Sequence, residues 1–172
     1  YVEAAHRYGK VGGFAHMATL INQLRATRPN SLLLDGGDTW QGSATALWTN
    51  GQDMVDASKI LGVDAMTAHW EFTLGAERVS EIIDKDLLPN NIDFLAQNVI
   101  DNEWEEPVFK PYMLREMKGI KVAIIGQAFP YTPIANPRWM FPNWSFGIRE
   151  DGIKKQVQIV REAGADLVVL LS

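Results

Sequence analysis

The sequence predicts an α/β protein with a mixed sheet, and three observations carry that prediction. Segments with three- and four-residue apolar spacing alternate with short apolar runs. Two of those runs, Leu32-Leu33-Leu34 and Leu167 through Leu171, are continuous rather than alternating, as in strands covered on both faces. A third pair of runs flanks Lys118-Gly119, a two-residue turn of the kind that joins antiparallel neighbours.

From Gly13 to Arg28, the residues Phe14, Met17, Ala18, Ile21 and Leu24 fall on one helical stripe, which Pro29 ends. The strand Ser31-Leu32-Leu33-Leu34 follows and runs directly into Asp35-Gly36-Gly37-Asp38. Gln52 to Leu61 reads as a helix, and Val63 to Ala68 as a short strand that delivers His69-Trp70-Glu71-Phe72 to a loop. Ala76, Val79, Ile82, Ile83 and Leu87 mark a further amphipathic helix before the strand Asp93 to Asn98. Tyr112 to Met117 and Ile120 to Ile125 form the predicted hairpin. Residues 128 to 146, rich in Pro, Trp and Phe and without a clear period, read as a long ordered loop. Gly152 to Ala163 is the last helix, with Gly164 placed for a left-handed cap, and a buried strand to Ser172 closes the order.

The bulk composition narrows the function. At 172 residues and 47% hydrophobic, the chain can close one sizeable core. Its formal charge of -5 argues against nucleic acid or an anionic membrane as partner, since both demand clustered Lys and Arg. No apolar run is long enough to span a bilayer, and Tyr1 to Lys10 do not resemble an export signal. With no cysteine, any metal must be held by oxygen and imidazole.

Chemistry concentrates in two polar clusters, Asp35-Gly36-Gly37-Asp38-Thr39-Trp40-Gln41-Gly42 and His69-Trp70-Glu71. Both follow strands, and side chains just past the carboxyl ends of such strands converge on one edge of the sheet, where ligands bind. Glycines there bring a carboxylate close to a bound ion without an intervening β-carbon. Carboxylate with imidazole suits Mn²⁺, Fe²⁺ or Zn²⁺. A phosphate-cradling loop is the competing reading, because Gly37 and Gly42 have its separation, but Ser43 stands where that motif needs Lys. Gly-x-Gly-x-x-Gly, Gly-x-Ser-x-Gly and His-Glu-x-x-His are all absent.

With these residues in view, the chain resembles the 5'-nucleotidase branch of the calcineurin-like metallophosphoesterases. The resemblance rests on Leu32-Leu33-Leu34-Asp35-Gly36-Gly37-Asp38-Thr39-Trp40-Gln41-Gly42, then Phe94-Leu95-Ala96-Gln97-Asn98-Val99, Val122-Ala123-Ile124-Ile125-Gly126 and Gly164 through Ser172, in the family's order. It implies a four-layered α/β/β/α sandwich with mixed sheets and two divalent metal ions bridged by Asp38. The family's next motif is Gly-Asn-His-Glu followed by Phe-Asp, whose Asn binds metal and whose His-Asp pair assists the leaving group. Here the stretch is Ala68-His69-Trp70-Glu71-Phe72-Thr73, so His69 takes the Asn position, Trp70 the His position and Thr73 the Asp position. That departure weakens phosphomonoester hydrolysis, where an alkoxide benefits from proton donation.

The same departure, with Gly37 through Ser43 and Ala46-Leu47-Trp48-Thr49, is similar to the SoxB family of sulfate thiohydrolases. That resemblance implies a dimanganese hydrolase of the periplasm, which releases sulfate from a cysteine S-sulfonate on the carrier protein SoxYZ. Asp38 and His69 would be metal ligands and Trp70 a wall of the pocket. Asp35, Glu71 and Asn98 would support them from behind, although Asp35 also suits a turn cap, Glu71 a loop anchor and Asn98 plain loop structure. His6 and His16 read as solvated surface. The family's remaining ligand motifs are expected before Tyr1 and after Ser172. Residues 1–172 thus read as part of an N-terminal catalytic domain cut at both ends, inactive alone and a weak binder of metal. Two alternatives stay open: a 5'-nucleotidase-type phosphohydrolase, and a non-catalytic domain that keeps the fold.

Overall fold

In the computed structural model, which describes Arg7, Gly9 and residues 12–172, the order is α1 (Phe14–Thr27), β1 (Leu34–Asp35), α2 (Ala44–Trp48), α3 (Gln52–Leu61), β2 (Ala65–Met66), α4 (Ala76–Ile82), β3 (Asp93–Phe94), β4 (Ile100–Asp101), β5 (Tyr112–Met117), β6 (Ile120–Gly126), α5 (Thr132–Ala135), β7 (Trp144–Ser145), α6 (Glu150–Glu162) and β8 (Leu167–Leu171). His6, read above as surface, lies outside the described residues. Strands β1, β2 and β3 pair in parallel in that order. A second sheet has the order β5-β6-β8, antiparallel across the hairpin and parallel between β6 and β8. Strands β4 and β7 form a separate antiparallel ribbon.

Alternation along the strands sets the number of layers, because successive side chains point to opposite faces. Ala65 and Leu95 from the first sheet share a core with Met113, Val122 and Ile124 from the second. Their neighbours Met66, Phe94 and Ala96 face the other way and pack with Val55, Val79 and Ile82 of α3 and α4. On the far side, Ala123 and Ile125 of β6 join Val160 of α6 and Ala165. The layers therefore run helix, sheet, sheet, helix, the mixed α/β sandwich expected from the sequence. The hairpin register pairs Met117 with Ile120, with Lys118 at φ 50° and Gly119 at φ 81°, the left-handed pair that a two-residue turn requires.

The structure differs from the sequence reading at several points. Residues 128 to 146 hold α5 and β7 rather than only loop, because Phe141 is buried and Trp144 and Phe146 pack around the fully buried Phe72. The final strand, read as buried, leaves Leu167 and Leu170 about half exposed at 51% and 47%, since among the described residues no strand pairs with its outer edge. Helix α1 buries no residue fully and lies over β1 and α3 through half-buried Phe14, Ala18 and Ile21. No helix among the described residues is long and apolar enough to cross a membrane.

Candidate metal centre

Strands β1 and β2 lie side by side in parallel, so the loops leaving their carboxyl ends emerge at one edge. The first loop is shaped by Asp35, whose Oδ1 accepts from the Gly37 amide at 2.9 Å and whose two oxygens accept from the Thr39 hydroxyl at 2.9 and 2.8 Å. The carboxylate is thus spent on closing the turn. Asp38, the next acidic residue, is held at φ 66°, a left-handed conformation that Asp tolerates better than most residues, and its side chain is 50% exposed.

The second loop crosses the first at Gly37. A Cβ on Gly37, which has φ 97°, would sit 2.8 Å from the His69 amide nitrogen and 3.0 Å from the Ala68 carbonyl carbon, so only glycine permits this approach. Glu71 fastens the crossing. It is fully buried, and its Oε1 accepts from the amides of Thr39 at 2.6 Å and Trp40 at 3.3 Å while its Oε2 accepts from the His69 amide at 2.6 Å. One carboxylate therefore ties together the backbones that carry Asp38 and His69.

The result is that Oδ1 of Asp38 and Nδ1 of His69 stand 3.3 Å apart. Although the distance is short, the geometry makes no hydrogen bond, and the His69 nitrogen is buried without a hydrogen-bond partner. Two ligands of one cation, each about 2.1 Å from it and at a right angle, lie about 3 Å apart. A buried, unbonded imidazole nitrogen beside a carboxylate oxygen fits one edge of a metal's coordination shell. Among the described residues no group of three or more His, Cys, Asp or Glu side chains is arranged to hold a metal ion, so the pair is a partial shell.

The pair opens on a cleft of about 440 Å³ lined by Gly37, Asp38, His69, Gln127, Phe129 and Pro130, among others. A larger groove of about 770 Å³ beside α4, lined by Arg78, Glu81 and Trp139, touches none of the residues singled out from the sequence. Trp70 does not line the cleft as expected. Its ring stands edge-on to His69 at 5.5 Å and tilted to Phe129 at 6.0 Å, at the start of the helical turn from Trp70 to Leu74, and the residues that line the opening do not include it. The wall is Phe129, stacked on the imidazole of His69 with ring centroids 4.0 Å apart and planes 29° from parallel. The sequence reading missed Phe129, yet a signal was there: it stands three residues past the end of β6, on a strand that feeds the same edge.

Asn98 is buried away from the opening. Its side chain accepts from the Ala128 amide and donates to the carbonyls of Ala128 and Gly147, each at 2.8 Å. His16 is exposed, with Nδ1 2.7 Å from the Gly12 carbonyl oxygen.

No family model matches the chain. Among solved structures it is similar to the sulfate thiohydrolase SoxB of Thermus thermophilus in complex with glycerol, with a TM-score of 0.92 and 34% identity over 100% of this chain and 32% of that one. A 5'-nucleotidase precursor from Thermus thermophilus superposes with a TM-score of 0.80 and 28% identity, over 94% of this chain and 31% of that one. Among curated proteins, the 5'-nucleotidase of Diplobatis ommata is 28% identical over 165 residues, which is 92% of this chain and 28% of the relative. The chain thus spans about a third or less of each of these three proteins.

Proposed function

This chain belongs to the 5'-nucleotidase-family metallophosphoesterases, and from that membership we propose that its full-length protein is a dinuclear-metal sulfate thiohydrolase acting on a cysteine S-sulfonate carried by a protein such as SoxYZ. The observation that supports this over phosphate ester hydrolysis is Trp70. An indole has no basic nitrogen, so it cannot pass a proton to a leaving group, and Thr73 offers no carboxylate to help. An alkoxide leaving group suffers from that loss; a thiolate or persulfide, far less basic, does not. The 34% identity to SoxB over the whole chain points the same way.

In this reading Asp38 and His69 hold the divalent ions, manganese by family resemblance, together with ligands from outside residues 1–172. Bound there, the ions supply Lewis acidity and an activated water. Hydrolysis there would place the oxygen of water on the sulfonate sulfur to give sulfate, break the bond from that sulfur to the carrier-bound sulfur, leave that bond's electron pair on the carrier as thiolate or persulfide, and release the two protons of the water to solvent. Phe129 and Pro130 give the cleft an apolar flank that limits bulk water beside the imidazole. The periplasm, where such a carrier would be met, is part of the same proposal.

The test is product identity. Full-length protein loaded with Mn²⁺ is given an S-sulfonated carrier in one reaction and adenosine 5'-monophosphate in another. Sulfate from the first and no phosphate from the second is the expected outcome. Phosphate release with no sulfate favours the second reading, a 5'-nucleotidase, which the similarity to the Diplobatis enzyme supports.

A further inference from the structure

We infer that Phe129 is a positioning residue for the metal-binding imidazole, an inference that rests on the reading of His69 as a ligand. The ring covers one face of His69 in a near-parallel stack, with centroids 4.0 Å apart, and Trp70 closes on the imidazole edge-on at 5.5 Å. Such a contact fixes the plane of the imidazole and hence the in-plane direction of Nδ1, which stands 3.3 Å from Oδ1 of Asp38. It also favours the bound state: an imidazole that donates its lone pair to a cation becomes electron-poor, and an electron-rich aromatic face holds an electron-poor ring more strongly.

The backbone beneath Phe129 is pinned, so the ring is held in place before any metal arrives. The Phe129 amide donates to the Ala68 carbonyl at 3.0 Å, next to His69 itself. The hydroxyl of buried Thr132 donates to the Phe129 carbonyl at 2.8 Å. One residue back, buried Asn98 brackets Ala128 by accepting from its amide and donating to its carbonyl, both at 2.8 Å. The segment that carries Phe129 is therefore tied both to the loop of the imidazole and to the end of the first sheet. Without such support, His69 would have to be ordered by the ion at the cost of affinity.

The experiment is Mn²⁺ titration calorimetry on the metal-free full-length protein and three variants, with the thermal midpoint of each metal-free protein measured alongside. Phe129→Leu, which keeps apolar bulk but removes the aromatic face, is expected to weaken Mn²⁺ binding by roughly three- to tenfold, and Phe129→Tyr to restore it to within about twofold. His69→Ala, the reference, is expected to lose more than Phe129→Leu. If Phe129→Leu lowers only the thermal midpoint and leaves the affinity unchanged while His69→Ala loses it, the positioning role is overturned. If His69→Ala itself leaves Mn²⁺ binding unchanged, the reading of His69 as a ligand falls, and the inference falls with it.

Discussion

Replacing Glu71 by Gln tests whether one carboxylate holds the two site loops together. The glutamate is fully buried and accepts three backbone N–H groups, from Thr39, Trp40 and His69. A glutamine can keep its carbonyl oxygen toward Thr39 and Trp40, but its amide then presents N–H to the N–H of His69. The variant loses a charge-assisted bond and leaves a buried donor unpaired, which together cost about 2–4 kcal/mol. Urea unfolding followed by circular dichroism gives the total. Amide exchange locates it, with Thr39, Trp40 and His69 expected to lose protection while the β5–β6 hairpin keeps it. A loss below about 1 kcal/mol, or exchange that rises evenly across the chain, refutes the tie.

Other perturbations follow from the same geometry. Gly37→Ala places a Cβ 2.8 Å from the His69 amide nitrogen at φ 97°, so it is expected to cost about 1–3 kcal/mol by urea unfolding and to weaken Mn²⁺ binding to the full-length protein. Trp70→His restores the residue of the family motif but not the missing Asp at Thr73, and it is expected to add no phosphatase activity toward adenosine 5'-monophosphate. On the outer face of α3, hydrogen bonds from Lys59 and Gln52 hold the Asp56 carboxyl below its ordinary value of 3.8. A folded-state value below the unfolded one adds stability above the unfolded value and loses it as pH falls through the folded one. Urea unfolding between pH 5 and pH 3 is therefore expected to show a shallower acid loss for Asp56→Asn than for the parent, and the difference is small because the side chain is 50% exposed.

Much of the frame was legible in local sequence because local rules decide it. The hairpin announced itself through Lys118-Gly119, and in the structure alternate residues of the apolar run Val122-Ala123-Ile124-Ile125 go to two opposite core faces. Asp38 and His69 were legible as strand-end residues in a Gly-rich and a polar loop, and the parallel pairing of β1 and β2 brings them to the same edge. What stayed hidden depends on contacts distant in the chain. The β4–β7 ribbon joins Ile100 to Ser145 across an aperiodic stretch, so no spacing rule could reveal it. Short α2 was missed although Ser43, whose side chain accepts from the Ala46 amide, is a good N-cap. Trp70 was read from its place in a motif, which says nothing of ring direction. The cleft wall passed instead to Phe129, which reaches His69 only through tertiary packing.

The most direct measurement is anomalous diffraction at the manganese edge from crystals of the full-length protein grown with Mn²⁺. The geometry predicts a manganese peak about 2.2 Å from both Oδ1 of Asp38 and Nδ1 of His69, with the ring of Phe129 still stacked on the imidazole. Manganese bound elsewhere, with that carboxylate and imidazole facing only solvent, contradicts the assignment of this edge as a metal centre.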